Sequence, residues 1–95
     1  MSKPSKQEEV DRGARAKRLL EDPTLVEAFA NVRTAILERI EAAPIRDREG
    51  LHELKLMLKL LRDVRGNLEQ AVSNGKIARL DIERERRGIR NWIGV

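Results

Sequence analysis

The residues best suited to chemistry are a histidine and the carboxylates beside it. His52 is the only histidine of the 95-residue chain, and Glu49 and Glu53 flank it. A carboxylate can orient an imidazole so that the ring works as a general base. Catalysis or metal binding needs further convergent ligands, and the sequence has no second His and no Cys. We therefore interpret His52 as a surface residue on a charged first turn of a helix.

Motifs for other kinds of chemistry are missing from the sequence. It contains no Gly-rich phosphate loop, no nucleophile elbow and no zinc-ligand spacing. We expect no enzyme activity, no catalytic or metal-binding residue and no cofactor. No apolar run approaches the ~20 residues that span a bilayer, and the N-terminal residues do not form a signal peptide. This composition predicts a soluble intracellular protein that does not bind membranes.

Basic residues are the next candidates, because clustered Lys and Arg neutralise phosphates. The formal net charge is +4, and residues 73–95 carry six basic and three acidic residues. Acidic residues interleave with the bases, which favours a solvated helix with ion pairs over a nucleic-acid surface. Contact with nucleic acid stays open as an alternative, and its candidate residues are Arg12, Arg15, Lys17, Arg18, Arg84, Arg86 and Arg87.

The elements that position these residues are predicted to be helices, since Ala, Leu, Glu, Lys and Arg dominate the sequence. A short first helix covers Gln7 to Glu21, with a weak apolar stripe of Val10, Ala14, Leu19 and Leu20 that Gly13 interrupts. A second helix begins at Pro23 with Asp22 as its N-cap. Its apolar face contains Leu25, Phe29, Val32, Ile36 and Ile40, with Ala28 and Ala35 beside them.

A break follows this helix, because the residue before Pro44 disfavours helical geometry and Asp47 suits a new N-cap. The third helix is predicted to be the longest and to end at Gly75 or Asn74 as a left-handed C-cap. Its apolar stripe contains Leu51, Leu54, Leu58, Leu61, Leu68 and Val72, widened by Met57, Val64 and Ala71. A final helix from Lys76 to Arg87 places Ile77 and Leu80 on one side, and Gly88 releases it into an apolar tail.

These elements predict an all-α fold in a single domain over residues 1–95. An antiparallel helical hairpin forms residues 22–75, with an N-terminal helix or arm in residues 1–21 and a charged C-terminal helical arm with its tail in residues 76–95. One hairpin seam cannot bury a stripe as wide as that of the third helix. Val26, Leu56 and Leu60 lie outside the main apolar stripes, so we expect either the N-terminal helix or another subunit to cover them.

Partner binding is therefore expected, and a homo-oligomer is one form of it. The tail contains the only tryptophan, and Trp and Arg are favoured at binding hot spots. We predict partner contacts at Arg90, Trp92, Ile93, Val95, Leu56 and Leu60. The alternative for the tail is that it folds back and completes the core of its own hairpin.

The sequence resembles small helical proteins encoded among the head and packaging genes of tailed bacteriophages and prophages. The resemblance covers about residues 12–80 and is carried by "RAKRLLEDP", the "RDREG" turn and "LRDVRGNLEQAVSNGK". It implies a component of the virion or of head assembly, located in the virion or the host cytoplasm. It brings no catalytic residue with it.

We consider three functions, and the phage setting of the first two is what the resemblance implies. The first is a structural interaction protein of a phage particle that binds capsid, portal or packaging proteins in multiple copies. The second is a DNA-packaging accessory factor, similar to a small terminase subunit, that touches DNA through its basic ends. The third is a regulator that masks a host protein.

Overall fold

The protein is all-helical over the part of the chain that the computed structural model describes, which is the backbone of residues 3–92 and the side chains of residues 3–89. Within that part there are three helices and no strand. The helices are α1 (Lys6–Glu21), α2 (Pro23–Ala42) and α3 (Arg48–Trp92). The predicted all-α class is confirmed.

The starts of α2 and α3 are capped as the sequence predicts. The Asp22 carboxylate accepts hydrogen bonds from the backbone N–H of Thr24 at 2.8 Å and of Leu25 at 3.1 Å. The Asp47 carboxylate accepts one from Gly50 N–H at 3.0 Å. Each cap satisfies backbone donors that have no partner within the helix. The starts of α2 and α3 are thus fixed by local hydrogen bonds.

The predicted end of the third helix at Asn74 or Gly75 is wrong. α3 is one helix of 45 residues that continues through both positions and also through Gly88. The separate final helix from Lys76 and the release of the chain at Gly88 are therefore wrong as well. A glycine inside a helix lowers its stability by about 1 kcal/mol relative to alanine, and neighbouring contacts can offset this cost.

The described residues form two compact units that share α3. The first unit contains the chain up to residue 19 and from residue 68 onward, so it combines most of α1 with the C-terminal part of α3. The second unit contains residues 20–67, so it combines α2 with the N-terminal part of α3. The predicted division into residues 1–21, 22–75 and 76–95 stays a prediction.

Small residues pack the first unit. Gly13 and Ala16 are the buried residues of α1, and Gly75 and Ala78 are buried on α3. A Cβ atom on Gly75 would lie 3.1 Å from the Gly13 Cα atom, so the two backbones touch. The predicted apolar face of α1 is wrong at Ala14 and Leu19, which are exposed. Glycine is the centre of the packed face rather than an interruption of it.

The apolar side predicted for the end of the third helix is also wrong. Ile77 is 58% exposed and Leu80 is 51% exposed, while Ala78 between them is buried. Ile82 is half-buried. α3 therefore buries Gly75 and Ala78 and exposes Ile77 and Leu80. Only small side chains permit the close approach of α1 and α3 at Gly75.

The second unit contains the larger apolar side chains. Ile36 is 4% exposed, and it is the one large hydrophobic side chain among the described residues that is buried outright. Half-buried positions surround it on the predicted stripes, and they are Leu25, Phe29, Ile40, Leu51, Leu54, Leu58 and Leu61. Met57 and Val64, which were predicted to widen the stripe of the third helix, are exposed. The predicted apolar face of α2 is wrong at Val32, which is 47% exposed. The other positions of the predicted centre line are correct, and the predicted width of the core is too large.

Candidate functional site

A groove of about 760 Å³ lies between α2 and α3 in the second unit. Its apolar lining, which we call the floor, consists of Val26, Phe29, Ala30, Leu56, Leu58 and Leu61. Its polar lining consists of Arg33, Thr34, His52, Lys55, Lys59, Arg62 and Arg65. We call this feature the basic groove.

The charges of the basic groove are all of one sign. Among the described residues, five Lys or Arg side chains line it and no carboxylate does. None of Arg33, Lys55, Lys59 and Arg62 forms an ion pair with a residue that the structure describes. A cleft lined by one sign of charge, with apolar walls, focuses the electrostatic potential and attracts the opposite charge. The groove therefore favours an anionic ligand.

The cations of α3 stand in a row. Lys55, Lys59 and Arg62 are separated by four and three residues, a spacing that keeps successive side chains on one face of a helix. At 1.5 Å per residue the row extends about 10 Å along the helix axis. Arg33 of α2 adds a charge from the other helix. The row of charges is elongated, so it suits an elongated anionic ligand better than a spherical ion.

The floor of the groove leaves apolar surface uncovered. Val26 is 50% exposed and Leu56 is 48% exposed, while Phe29 is half-buried. The predicted exposure of Val26 and Leu56 in the absence of a cover is thus observed. Val26 and Leu56 belong to the second unit and α1 to the first, so coverage by the N-terminal helix or by another subunit stays a prediction. The groove combines an apolar floor with a cationic lining.

Leu60, the other predicted contact residue of α3, does not line the groove. It is 56% exposed and shares a helix face with Met57 and Val64, which are 44% and 53% exposed. These three residues form an uncovered apolar strip, which we call the Leu60 strip. The two partner-binding residues predicted on α3, Leu56 and Leu60, therefore belong to different surfaces.

The predicted nucleic-acid residues lie outside the basic groove. Their side chains are exposed on α1 and on the C-terminal part of α3, and they are Arg12, Arg15, Lys17, Arg18, Arg84, Arg86 and Arg87. Lys17 has an interaction partner within the protein. Lys6 at the start of α1 forms an ion pair with Glu85, and this hydrogen bond raises the pKa of Lys6. The same end of α3 thus carries both signs of charge.

The predicted tail contacts are only partly within the described residues. Arg90 and Trp92 lie in the backbone of α3, and their side chains are outside the described ones. Ile93 and Val95 lie outside the described residues altogether. Ile89, the last residue with a described side chain, is 63% exposed. The role of the tail as an anchor or as core stays a prediction.

His52 is exposed and lines one end of the basic groove. The described residues contain no group of three or more His, Asp or Glu side chains placed to hold a metal ion. None of the helices within residues 3–92 has the length and apolar character needed to cross a bilayer. The lining of the groove offers positive charge and apolar surface for noncovalent binding.

The bases of the groove are the residues that sequence reasoning missed. The spacing of Lys55, Lys59 and Arg62 places them on one face of a helix and could have identified them as candidates. No sequence signal shows that Arg33 of α2 faces the same groove, because that depends on how α2 and α3 pack.

Comparisons with known proteins give no further indication of the site. The chain matches no family model, no curated protein and no solved structure.

Proposed function

We propose that the chain is a small helical interaction protein of a tailed-phage particle or of its assembly, which binds capsid, portal or packaging proteins in multiple copies. Exposed apolar surface is the observation that carries this proposal. Twelve large hydrophobic residues are exposed among the described ones, against three hydrophobic residues that are buried, Ala16, Ile36 and Ala78. A soluble chain of this kind gains stability when a partner covers such surface.

The phage assignment is supported by the resemblance of residues 12–80 to small proteins encoded among head and packaging genes. In this proposal α2 and the N-terminal part of α3 form the antiparallel hairpin, and copies of the chain associate. The protein binds and does not catalyse, and it needs no cofactor. Its location is the virion or the host cytoplasm.

Mass spectrometry of purified particles of the encoding phage tests the proposal. We expect the protein in a fixed ratio to the capsid or portal protein, or in a purified assembly intermediate. Absence from particles and intermediates, together with a stable complex with a host protein, would instead identify a regulator and would refute the proposal.

Sedimentation tests the association of copies, which we place on the Leu60 strip. At tens of micromolar the wild-type chain should sediment as an oligomer, because the strip is larger than an isolated exposed residue. Leu60→Ser should shift it toward the monomer. Ile45→Ser is the matched control, since Ile45 is 93% exposed and lies in the loop between α2 and α3. A monomeric wild type would refute self-association.

A DNA-packaging accessory factor is the second candidate, favoured by the exposure of the basic residues at Arg12, Arg15, Arg84, Arg86 and Arg87. A protein that neutralises several phosphates loses orders of magnitude in affinity between about 50 and 200 mM salt. Retention of duplex DNA that falls steeply over this range, and is weakened by Arg84→Gln and Arg87→Gln, would support this function. Retention that these variants leave unchanged would count against it.

A further inference from the structure

We infer that the basic groove binds an acidic amphipathic helix of another protein. The inference rests on the proposed function, since it gives the chemistry of the partner segment that this interaction protein takes. It concerns the groove between α2 and α3, and neither the Leu60 strip nor the C-terminal tail contributes to it.

Charge complementarity is the first support. Of the described residues, five Lys and Arg side chains and no carboxylate line the groove, although the chain as a whole carries 16 acidic residues. Four of those cations, Arg33, Lys55, Lys59 and Arg62, have no ion-pair partner among the described residues. Complementary charge guides association and sets the register of two bound surfaces. An acidic partner would supply the missing counter-charges.

The repeat of the cations is the second support. Lys55, Lys59 and Arg62 follow the 4,3 spacing of one helix face. A partner helix that lies beside α3 repeats its side chains at the same 1.5 Å rise per residue, so carboxylates with the same spacing would meet all three cations. Arg33 on the α2 side would meet a carboxylate on the other edge of the partner helix. In an extended peptide the side chains are about 3.3 Å apart per residue, so carboxylates with the same sequence spacing would not meet all three cations.

The apolar floor is the third support, and it separates an acidic helix from nucleic acid. Phe29, Leu56 and Leu58 line the same groove as the cations, with Leu56 48% exposed. A phosphate backbone offers no apolar side chains to cover them. Proteins bind it mainly by neutralising its charge. An amphipathic helix places Leu, Ile or Phe along one stripe with carboxylates beside it, as in helix-in-groove complexes. A groove of about 760 Å³ has the size of known ligand-binding clefts.

The acidic segments near the two ends of the chain do not have this chemistry. The acidic start of α1, with Glu8, Glu9 and Asp11, is followed at once by Arg12 and Arg15. The acidic residues near the end of α3 alternate with Arg84, Arg86 and Arg87, and Glu85 is paired with Lys6. Each of these segments would bring like charges to the groove. We therefore assign the occupant to a different protein, and a second copy of this chain is an outcome of the test.

Fluorescence anisotropy with a synthetic helix tests the inference on the full-length protein. The probe is a labelled, amidated peptide of about 18 residues, with Leu at every third or fourth position and Glu on both sides of the Leu stripe. One control peptide has Lys in place of every Glu. A second keeps the composition but shuffles the order, so that the net charge is unchanged and the apolar stripe is lost. We expect binding of the probe and about tenfold weaker binding of either control.

Matched variants on α3 locate the site. Lys59→Glu/Arg62→Glu should weaken binding of the probe by about tenfold, because two charge contacts become repulsive. Lys76→Glu/Arg79→Glu makes the same change at the same spacing on exposed residues outside the groove, and should leave binding unchanged. Leu56→Ser and Leu80→Ser form a second pair, since these residues are 48% and 51% exposed and only Leu56 lines the groove. Circular dichroism checks that each variant is helical. If Lys59→Glu/Arg62→Glu does not fold, the comparison of Leu56→Ser with Leu80→Ser tests the site instead.

Several results would overturn the inference. The probe could fail to bind the wild-type protein, or the groove and control variants could lose binding equally. A duplex DNA probe that binds, and that Lys59→Glu/Arg62→Glu alone releases, would identify a phosphate site instead. Self-association that this variant alone disrupts would identify a second copy as the occupant. These results differ from failure of the proposed function, in which the wild-type protein is absent from particles and assembly intermediates.

Discussion

Gly13 of α1 and Gly75 of α3 touch through their backbones: a Cβ atom on Gly13 would lie 3.0 Å from the Gly75 Cα atom and 2.9 Å from the Ala71 carbonyl oxygen. Both neighbours are backbone atoms, which cannot move away by changing a rotamer. Ala16 and Ala78, which are also buried, continue the small-residue packing of the same unit. The association of α1 with α3 therefore depends on the absence of side chains at the two glycines.

Replacing Gly13 should destabilise the protein. Gly13→Ala gains about 1 kcal/mol of helix propensity, but the clash with Ala71 forces the helices apart and costs about 1–3 kcal/mol more than that gain. Gly66→Ala is the control, since a Cβ atom on Gly66 meets nothing within 4 Å. It should raise the free energy of unfolding by up to about 1 kcal/mol. Urea unfolding followed by circular dichroism measures both, and a stabilised Gly13→Ala would contradict the contact.

Ile36 should carry more of the stability of the second unit than its neighbour on α2. Ile36 is 4% exposed and Leu37 is 37% exposed. Ile36→Ala removes buried methyl groups and leaves a cavity, which typically costs about 2–4 kcal/mol. Leu37→Ala should cost less than about 1 kcal/mol, because part of that side chain already faces water. Equal losses of unfolding free energy in the two variants would show that the core is misplaced.

The cap at Asp22 should contribute measurably to the stability of α2. Its carboxylate accepts two backbone hydrogen bonds, from Thr24 and Leu25. Asp22→Ala leaves both donors to solvent and should cost about 1 kcal/mol of unfolding free energy. Asp22→Asn retains an acceptor in the same place and should stay within about 0.5 kcal/mol of the wild type. Equal stability of the Ala and Asn variants would argue against the cap.

The Lys6–Glu85 ion pair should give a small stabilisation that depends on pH. Its hydrogen bond raises the pKa of Lys6, so the stabilisation is full below the unfolded-state pKa and disappears as the pH rises through the folded-state value. Lys6→Gln should lower the melting temperature slightly at neutral pH and not at strongly alkaline pH. The effect should also shrink in about 1 M salt, because both side chains are largely exposed. Lys76→Gln, at an exposed position on α3, should show neither dependence.

Removal of residues 89–95 should separate folding from partner binding. Ile89 is 63% exposed, so its loss removes little packed surface. We expect the truncated protein to keep its helicity and melting temperature and to lose assembly with its partner. Trp92→Ala in the full-length chain should weaken partner binding by about 2–4 kcal/mol, the range of hot-spot residues. A melting temperature lowered by many degrees, with assembly unchanged, would show that the tail belongs to the core.

The amino-acid sequence by itself determined the helical class and the boundaries at Asp22, Pro44 and Asp47. Asp22 and Asp47 cap the next helices, and the residue before Pro44 leaves helical geometry, because each effect acts within a few residues. The apolar period of 3.6 residues placed Ile36 and the half-buried leucines of α3 on the correct faces. Local hydrogen bonding and periodicity do not depend on the rest of the chain.

Only the tertiary structure decided what Gly75 does and where the basic groove lies. Gly75 was predicted to end a helix, yet α3 continues through it, since the contact with Gly13 can offset a propensity cost of about 1 kcal/mol. Arg33 and Lys59 lie far apart in the sequence and share a groove because α2 packs beside α3. Packing between helices depends on the shape and charge of both partners at once, and no single segment of sequence contains that information.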